Sequence, residues 1–232
     1  MIDVLYGGVV DPANKNSTHT QIVDLVSPGQ RVLEVGPGSG VICGYLTAHK
    51  GCTVTAVEIN LQAAALAAAQ CRRVITGSIE DEAVVRQAAA GGPFDAIVCA
   101  DVLEHLADPW AVLRRLRNLL APGGAVLASL PNVAHWSVRF RLLFGQFEYA
   151  DGLLRDRTHL RFFTLASARR LFHDCGYRLT YEHVCWVALP PDRLWRLLPP
   201  LRRLVNSTLV RLWPGLHGHQ FVFRAVPTGE AA

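Results

Sequence analysis

Apolar runs of five or six residues recur along the first half of the chain, each closed by a turn and followed by a stretch of helical period. Arg31–Val35, Cys52–Val57, Arg72–Thr76, Phe94–Cys99 and Ala125–Leu130 read as strands. Helical signals cover Thr20–Val26, Gly40–His49, Leu61–Gln70, Glu80–Ala90 and Pro109–Leu120. Strands that are apolar throughout and alternate with helices predict a largely parallel sheet buried on both faces. A helix over Leu165–Cys175 and strands over Tyr177–Val187 and Gln220–Val226 complete the order. The expected fold class is α/β, a doubly wound sheet of seven strands in a single domain, residues 1–232.

The alternation breaks twice. Residues 131–160 are rich in aromatics, arginine and histidine, and read as an irregular insertion. Residues 190–213 are bounded by Pro190-Pro191 and Pro214, with five arginines against one aspartate. Insertions this late in a doubly wound sheet sit above the carboxyl ends of the strands, where ligands bind. The leucines and arginines of the second insertion have the composition of a surface helix, but Pro199-Pro200 divides it. It is therefore read as a pocket cover or a contact between two copies of the chain.

Composition narrows the class. Hydrophobic residues make up 50% of the 232 and charged residues 18%, a balance that builds a core and excludes disorder. A net charge of +4 is too small to imply a nucleic-acid partner and leans slightly toward a phosphorylated or acidic substrate. No apolar run reaches the length of a membrane span, and no basic-then-apolar leader opens the chain, so stable membrane insertion is not expected. Six cysteines without a CxxC pair read as reduced, buried thiols of a cytoplasmic protein.

The chemistry begins after the first strand. Glu34-Val-Gly36-Pro-Gly38-Ser-Gly40 lies between strand and helix, where small residues let the backbone approach a ligand closely. Glu58, at the end of the second strand, is placed to accept bonds from both hydroxyls of a ribose. A dinucleotide fits poorly: Val41 stands where GxGxxG has its last glycine, and Glu34 would repel a pyrophosphate. The same carboxylate would attract the ammonium of an amino-acid moiety, which favours S-adenosylmethionine (SAM). No Gly-Lys-Ser/Thr supports a nucleoside triphosphate.

Five motifs occur in order: LEVGPGSG (33–40), AVEIN (56–60), GSIED (77–81), FDAIVCADVLEHLADP (94–109) and LLAPGGAVLASLPN (119–132). Together they resemble the successive motifs of class I SAM-dependent methyltransferases, in particular the bacterial ubiquinone-type and type 23 small-molecule groups. The resemblance covers residues 30–131 and implies a Rossmann-like sheet whose last strand is antiparallel. It implies that Gly36, Gly38 and Gly40 line the methionine side of SAM and that Glu58 holds the ribose. Ile59 would pack on the adenine, with Ser78 and Ile79 along its edge. Many relatives have aspartate at the position of Ser78, so Glu80 or Asp81 is the expected substitute. Asp101, Val102 and His105 would approach the sulfonium and the acceptor. The segments NVAHWSVRFRLLFGQFEY (132–149) and DRTHLRFFT (156–164) resemble a subgroup found with bacterial polysaccharide genes, which implies a saccharide or glycosylated small molecule as acceptor.

A hydroxyl acceptor gains from a base. His159, oriented by Asp156, is the first choice and His135 the second. Arg139, Tyr149, Asp151, Arg157 and Trp136 are the expected acceptor contacts, and residues 1–20, with the polar arm Asn14–His19, are the expected lid over bound SAM. A divalent metal such as Mg is a further possibility, with Asp156 and His159 joined by Asp101 or Asp151, though no diagnostic ligand spacing supports it. His217 and His219 are read as structural. An N-methyltransferase and a SAM-binding scaffold without turnover remain the alternatives.

Overall fold

The computed structural model describes residues 9–150, 153–187 and 199–229. Its elements are α1 (Thr18–Leu25), β1 (Arg31–Val35), α2 (Val41–Lys50), β2 (Thr53–Glu58), α3 (Leu61–Ala67), β3 (Arg73–Thr76), α4 (Glu82–Ala89) and β4 (Phe94–Ala100). A 3-10 turn, Leu103–His105, leads to α5 (Pro109–Arg117), β5 (Leu120–Pro131) and α6 (Trp136–Leu143). Then follow a second 3-10 turn, Leu153–Arg155, α7 (Leu165–Asp174), β6 (Tyr177–Trp186), α8 (Pro199–Leu212), α9 (Pro214–His217) and β7 (Gly218–Pro227).

The seven strands form one sheet in the order β3-β2-β1-β4-β5-β7-β6. Strands β1 to β5 run parallel, and β7 runs antiparallel to both β5 and β6. The chain winds outward from β1 to β3, then crosses back to β4. The carboxyl ends of β1 and β4 thus flank the crevice of a topological switch point. Adjacent side chains explain why the strands are apolar without alternation. Val32 and Val54 pack with Ile22 and Leu46 on one face; Leu33 and Ile97 pack with Leu116 and Phe172 on the other. All six cysteines are unpaired, and five are buried. No helix among the described residues is long and apolar enough to cross a membrane.

Three local differences from the sequence reading have physical causes. Pairing of β5 with β4 starts at Leu120, and the Pro122-Gly-Gly124 turn is taken up as a register shift within the strand. The first insertion contains a helix, α6, whose N-cap His135 accepts from the Ser137 amide. Pro199 and Pro200 open α8 rather than divide a segment, because the first helical turn needs no amide donor. Residues 188–198 of the second insertion lie outside the described residues.

Asn132, fully buried, joins the end of β5 to the start of β7. Its Nδ2 donates to the carbonyls of Gly215 (3.1 Å) and Gly218 (2.7 Å), and its Oδ1 accepts from the Ala134 amide (3.0 Å). Asn132→Leu leaves the Gly218 carbonyl, the part-buried Gly215 carbonyl and the Ala134 amide without these partners. It should lower unfolding free energy by about 3 kcal/mol, read in urea as a lower midpoint at unchanged slope.

Candidate active site

The turn after β1 holds Gly36, Gly38 and Gly40 at positive φ (66°, 55° and 88°). A Cβ on Gly36 would lie 2.7 Å from Val102 Cγ2, so the two loops of the switch point meet where only glycine fits. Glu58 accepts from the Asn60 amide on Oε1 (2.9 Å) and from the Gly38 amide on Oε2 (3.0 Å). The turn itself thereby fixes this carboxylate at the cavity edge. Glu34 is buried, and its Oε2 has no hydrogen-bond partner. Burial, with Cys43 and Glu58 nearby, raises its pKa well above the usual carboxylate range.

Across the crevice, Asp101 has φ 53°, a left-handed conformation for a non-glycine residue. Its Oδ1 accepts from Ser129 Oγ (2.7 Å) and its Oδ2 from Gln220 Nε2 (3.0 Å), bonds that hold this conformation. The following 3-10 turn presents Glu104 and His105. Glu104 is 1% exposed and its Oε2 is unpartnered; burial first, then Asp101 and Asp156, raise its pKa. The Glu104 carbonyl accepts from the amides of Leu160 and Arg161, both at 2.9 Å. His105 Nδ1 meets the Thr158 carbonyl (3.2 Å) and hydroxyl (3.1 Å). These bonds lay the 156–161 segment over the end of β4.

His159 is buried with an unpartnered Nδ1, its ring 4.8 Å from that of His105. Burial and then His105, opposed by Asp156, hold its pKa down at about 4, so the imidazole is neutral at pH 7. Asp156 Oδ1 accepts from the Thr158 amide (2.8 Å) and hydroxyl (2.6 Å), which braces the loop that carries His159. From the other side, Asn16 exchanges two bonds with the backbone of Trp186 on β6 (2.7 and 2.9 Å). That clamp sets Thr18 and His19 against the same space.

One cavity of about 710 Å³ connects these groups. Of the residues expected from sequence, Glu34, Gly36, Gly38, Glu58, Ile59, Ser78, Ile79, Asp101, Val102, His105, Asp156 and His159 line it. Gly40 lies behind it, as the N-cap of α2. Ile59 is 71% exposed, an apolar surface for a planar ring. Glu80 also lines the cavity, with its Oε1 accepting from the Asp108 amide, whereas Asp81 caps α4. His135 does not reach the cavity; its ring stands 5.5 Å from Trp136 and 5.5 Å from His219. Arg139, Tyr149, Trp136 and Arg157 also lie outside the lining, and Asp151 lies outside the described residues.

Sequence reasoning missed Glu104, Thr158, His219 and Gln220 as wall residues. The last two had a signal: the first residues of an antiparallel strand lie beside the carboxyl ends of its parallel neighbours. One ligand atom each from Glu104, His105 and His159 lie within 4.8 Å of one another, a spacing that a divalent cation could bridge. This grouping differs from the expected one, since it draws on the 3-10 turn rather than on Asp156 or Asp101.

The lining of the cavity fits SAM. The orphaned Glu34 oxygen suits an ammonium group, the glycine turn admits a close-lying chain, and the fixed Glu58 suits a ribose.

Comparison with known proteins gives the same picture. A family model described as a methyltransferase domain matches residues 15–182. The ubiquinone biosynthesis O-methyltransferase of Psychrobacter arcticus is 32% identical over 168 residues, covering 70% of this chain and 64% of the relative. The enzyme of the same name from Xanthomonas campestris pv. campestris is 35% identical over 138 residues, 57% of this chain and 55% of the relative. The chain thus spans less than two thirds of the length of these relatives. Among solved structures, a SAM-dependent methyltransferase of Methanosarcina mazei superposes with a TM-score of 0.60 at 18% identity, covering 90% of this chain and 98% of that one. Magnesium protoporphyrin IX methyltransferase of Synechocystis PCC 6803 gives 0.59 at 17% identity, covering 96% and 90%.

Proposed function

Because this chain belongs to the class I SAM-dependent methyltransferase family, we propose that it methylates a hydroxyl of a neutral, polyhydroxylated small molecule, a saccharide or glycosylated metabolite. The observation that carries the acceptor class is the charge of the cavity wall. Among the described residues it contains six carboxyl groups and four histidines, and no lysine or arginine. The net charge of +4 therefore resides elsewhere on the chain. A phosphorylated acceptor would enter a space without a cation, whereas hydroxyls find acceptors in Asp101, Glu104, His159 and Gln220. The relatives named for O-methylation support oxygen as the methylated atom.

Glu34 and Glu58 hold the cofactor by its ammonium and ribose. When bound, SAM supplies an electrophilic methyl carbon. The acceptor hydroxyl would give up its proton to the His159 imidazole in the cavity wall. A base of low pKa serves here because the oxygen becomes strongly acidic as it gains carbon. Loops 156–161 and 16–19 cover the reacting end and orient the acceptor. Six cysteines without a disulfide fit the reducing cytoplasm for this reaction.

The test is transfer of labelled methyl from SAM to a panel of neutral sugars and glycosides, the same sugars as phosphates, and amino sugars. Neutral sugars should be turned over at least about tenfold faster than their phosphates, since an uncompensated charge costs several kcal/mol in such a site. Preference for the phosphates would overturn the acceptor class, and N-methylated products would overturn the assignment to oxygen.

A further inference from the structure

Behind the cavity, the glycine turn that receives the cofactor rests on the end of α3. A Cβ on Gly40 would lie 3.1 Å from Ala67 Cα and 3.2 Å from Gln70 Cγ, so turn and helix already meet backbone to backbone. Thr47 of α2 donates to the Gln70 carbonyl (3.1 Å), and the Cys71 amide donates to the Ala67 carbonyl (3.0 Å). Two cysteines stand in this seam. Cys43, in the first turn of α2, is fully buried, and its Sγ donates to the Gly40 carbonyl (3.4 Å). Cys71 is half-buried and packs against the core that contains Cys43.

The two thiols lie within hydrogen-bonding reach of each other, and Cys43 also reaches the carboxyl of Glu34. By contrast, Cys52 donates to the Ser27 carbonyl and Cys175 to the Trp110 carbonyl, both at 3.5 Å. Cys71, Cys43 and Glu34 thus lead in sequence from the flank of the molecule to the ammonium end of the cavity. An oxidant meets Cys71 first, because Cys43 is sealed from solvent. Cys71 and then burial push the Cys43 thiol up, so it stays protonated until its neighbour has reacted.

We propose that Cys43 and Cys71 are a site of reversible oxidation by a peroxide, and that the disulfide between them weakens SAM binding. Hydrogen peroxide transfers one oxygen to the Cys71 sulfur, giving a sulfenic acid and one water. The Cys43 sulfur then bonds to the Cys71 sulfur, and its proton joins the departing hydroxide as a second water. Two thiols are oxidised and one peroxide is reduced. Bonded sulfurs sit closer than hydrogen-bonded ones, so the disulfide draws the first turn of α2 toward α3. Gly40 already touches Ala67, and the movement therefore passes into the Gly36–Gly40 turn, while Cys43 leaves the Gly40 carbonyl and Glu34. The inference rests on the cofactor reading and is independent of the acceptor.

Peroxide treatment of the whole chain, followed by non-reducing digestion and mass spectrometry, should yield one linked peptide pair that holds Cys43 and Cys71. Calorimetry on the same sample should show SAM affinity lowered at least about tenfold, a usual size for coupling between two sites, and restored by a dithiol reductant. Cys71→Ser should bind SAM as the reduced wild type does and keep that affinity in peroxide. Cys43→Ala should stop at a Cys71 sulfenic acid that dimedone captures. Coupling is reciprocal, so saturating SAM should raise the midpoint of the thiol–disulfide equilibrium in glutathione buffers by about 30 mV for each tenfold in affinity. Oxidation of the wild type that leaves Cys43 and Cys71 unlinked overturns the proposal. So does a linked form with undiminished SAM affinity, or a loss of affinity in peroxide that Cys71→Ser shares. Reduced wild type that forms the link but binds no SAM would count against the cofactor reading and would remove the regulatory half of the proposal with it.

Discussion

Replacing Glu34 by glutamine should lower affinity for SAM and for S-adenosylhomocysteine alike by about 100-fold, near the low end of the about 2–5 kcal/mol that follows when a buried charged hydrogen bond loses one partner. The substitution keeps the shape and removes only the charge. Both ligands carry the same amino-acid moiety, so parallel losses identify that contact, whereas a loss confined to SAM would point to the sulfonium. Folding should not suffer. Without ligand, the raised pKa means that the buried carboxyl is held toward its neutral form, and an amide is a close replacement. Calorimetric titration and a thermal melt of the same sample check both halves. Undiminished binding would show that the orphaned oxygen faces something other than an ammonium.

The same residue gives the binding a pH dependence whose sign is fixed. Below the raised titration range of Glu34 the free protein holds a proton there, and an incoming ammonium must displace it. Affinity therefore rises with pH through that range, and falls again above about 8, where an α-amino group loses its own proton. Titrations in buffers of different ionisation enthalpy should reveal proton release from the wild type on the acid side. The glutamine variant should show none. A flat profile in the wild type would mean that Glu34 is already ionised before the ligand arrives.

Glu34 was legible in the sequence because two local signals coincided: an apolar run that had to be a strand, and a turn of three glycines that had to follow it. His159 was legible only as a residue type beside an aspartate. The bonds that bring it over β4, from the Leu160 and Arg161 amides to the Glu104 carbonyl, join segments more than fifty residues apart and leave no periodic trace. Glu104 itself looked like part of a turn, and its burial follows from that same crossing. Helix α6 was illegible for the opposite reason. Its large apolar residues face outward, so they make no core-facing stripe against which a helical period can be read. His219 followed from topology that no short window contains, since its position depends on β7 running antiparallel to β5.

The acceptor end yields the second large effect. His159→Asn should reduce kcat by about 100-fold or more, in the range that a positioned general base contributes, while leaving SAM affinity unchanged. Among the four histidines of the wall, His159 alone has a buried ring nitrogen without a hydrogen-bond partner. His135 has an orphaned nitrogen too, but outside the cavity lining. His135→Asn should therefore retain most activity, since asparagine can also cap α6. Added imidazole should restore part of the turnover of His159→Ala if proton transfer is what was lost. Chelation supplies the opposing outcome. Should treatment of the wild type with a chelator abolish turnover, and a divalent cation restore it, then Glu104, His105 and His159 act together as ligands. Imidazole rescue without chelator sensitivity assigns His159 to the proton; the reverse pair of results assigns it to a cation and removes the base from the mechanism.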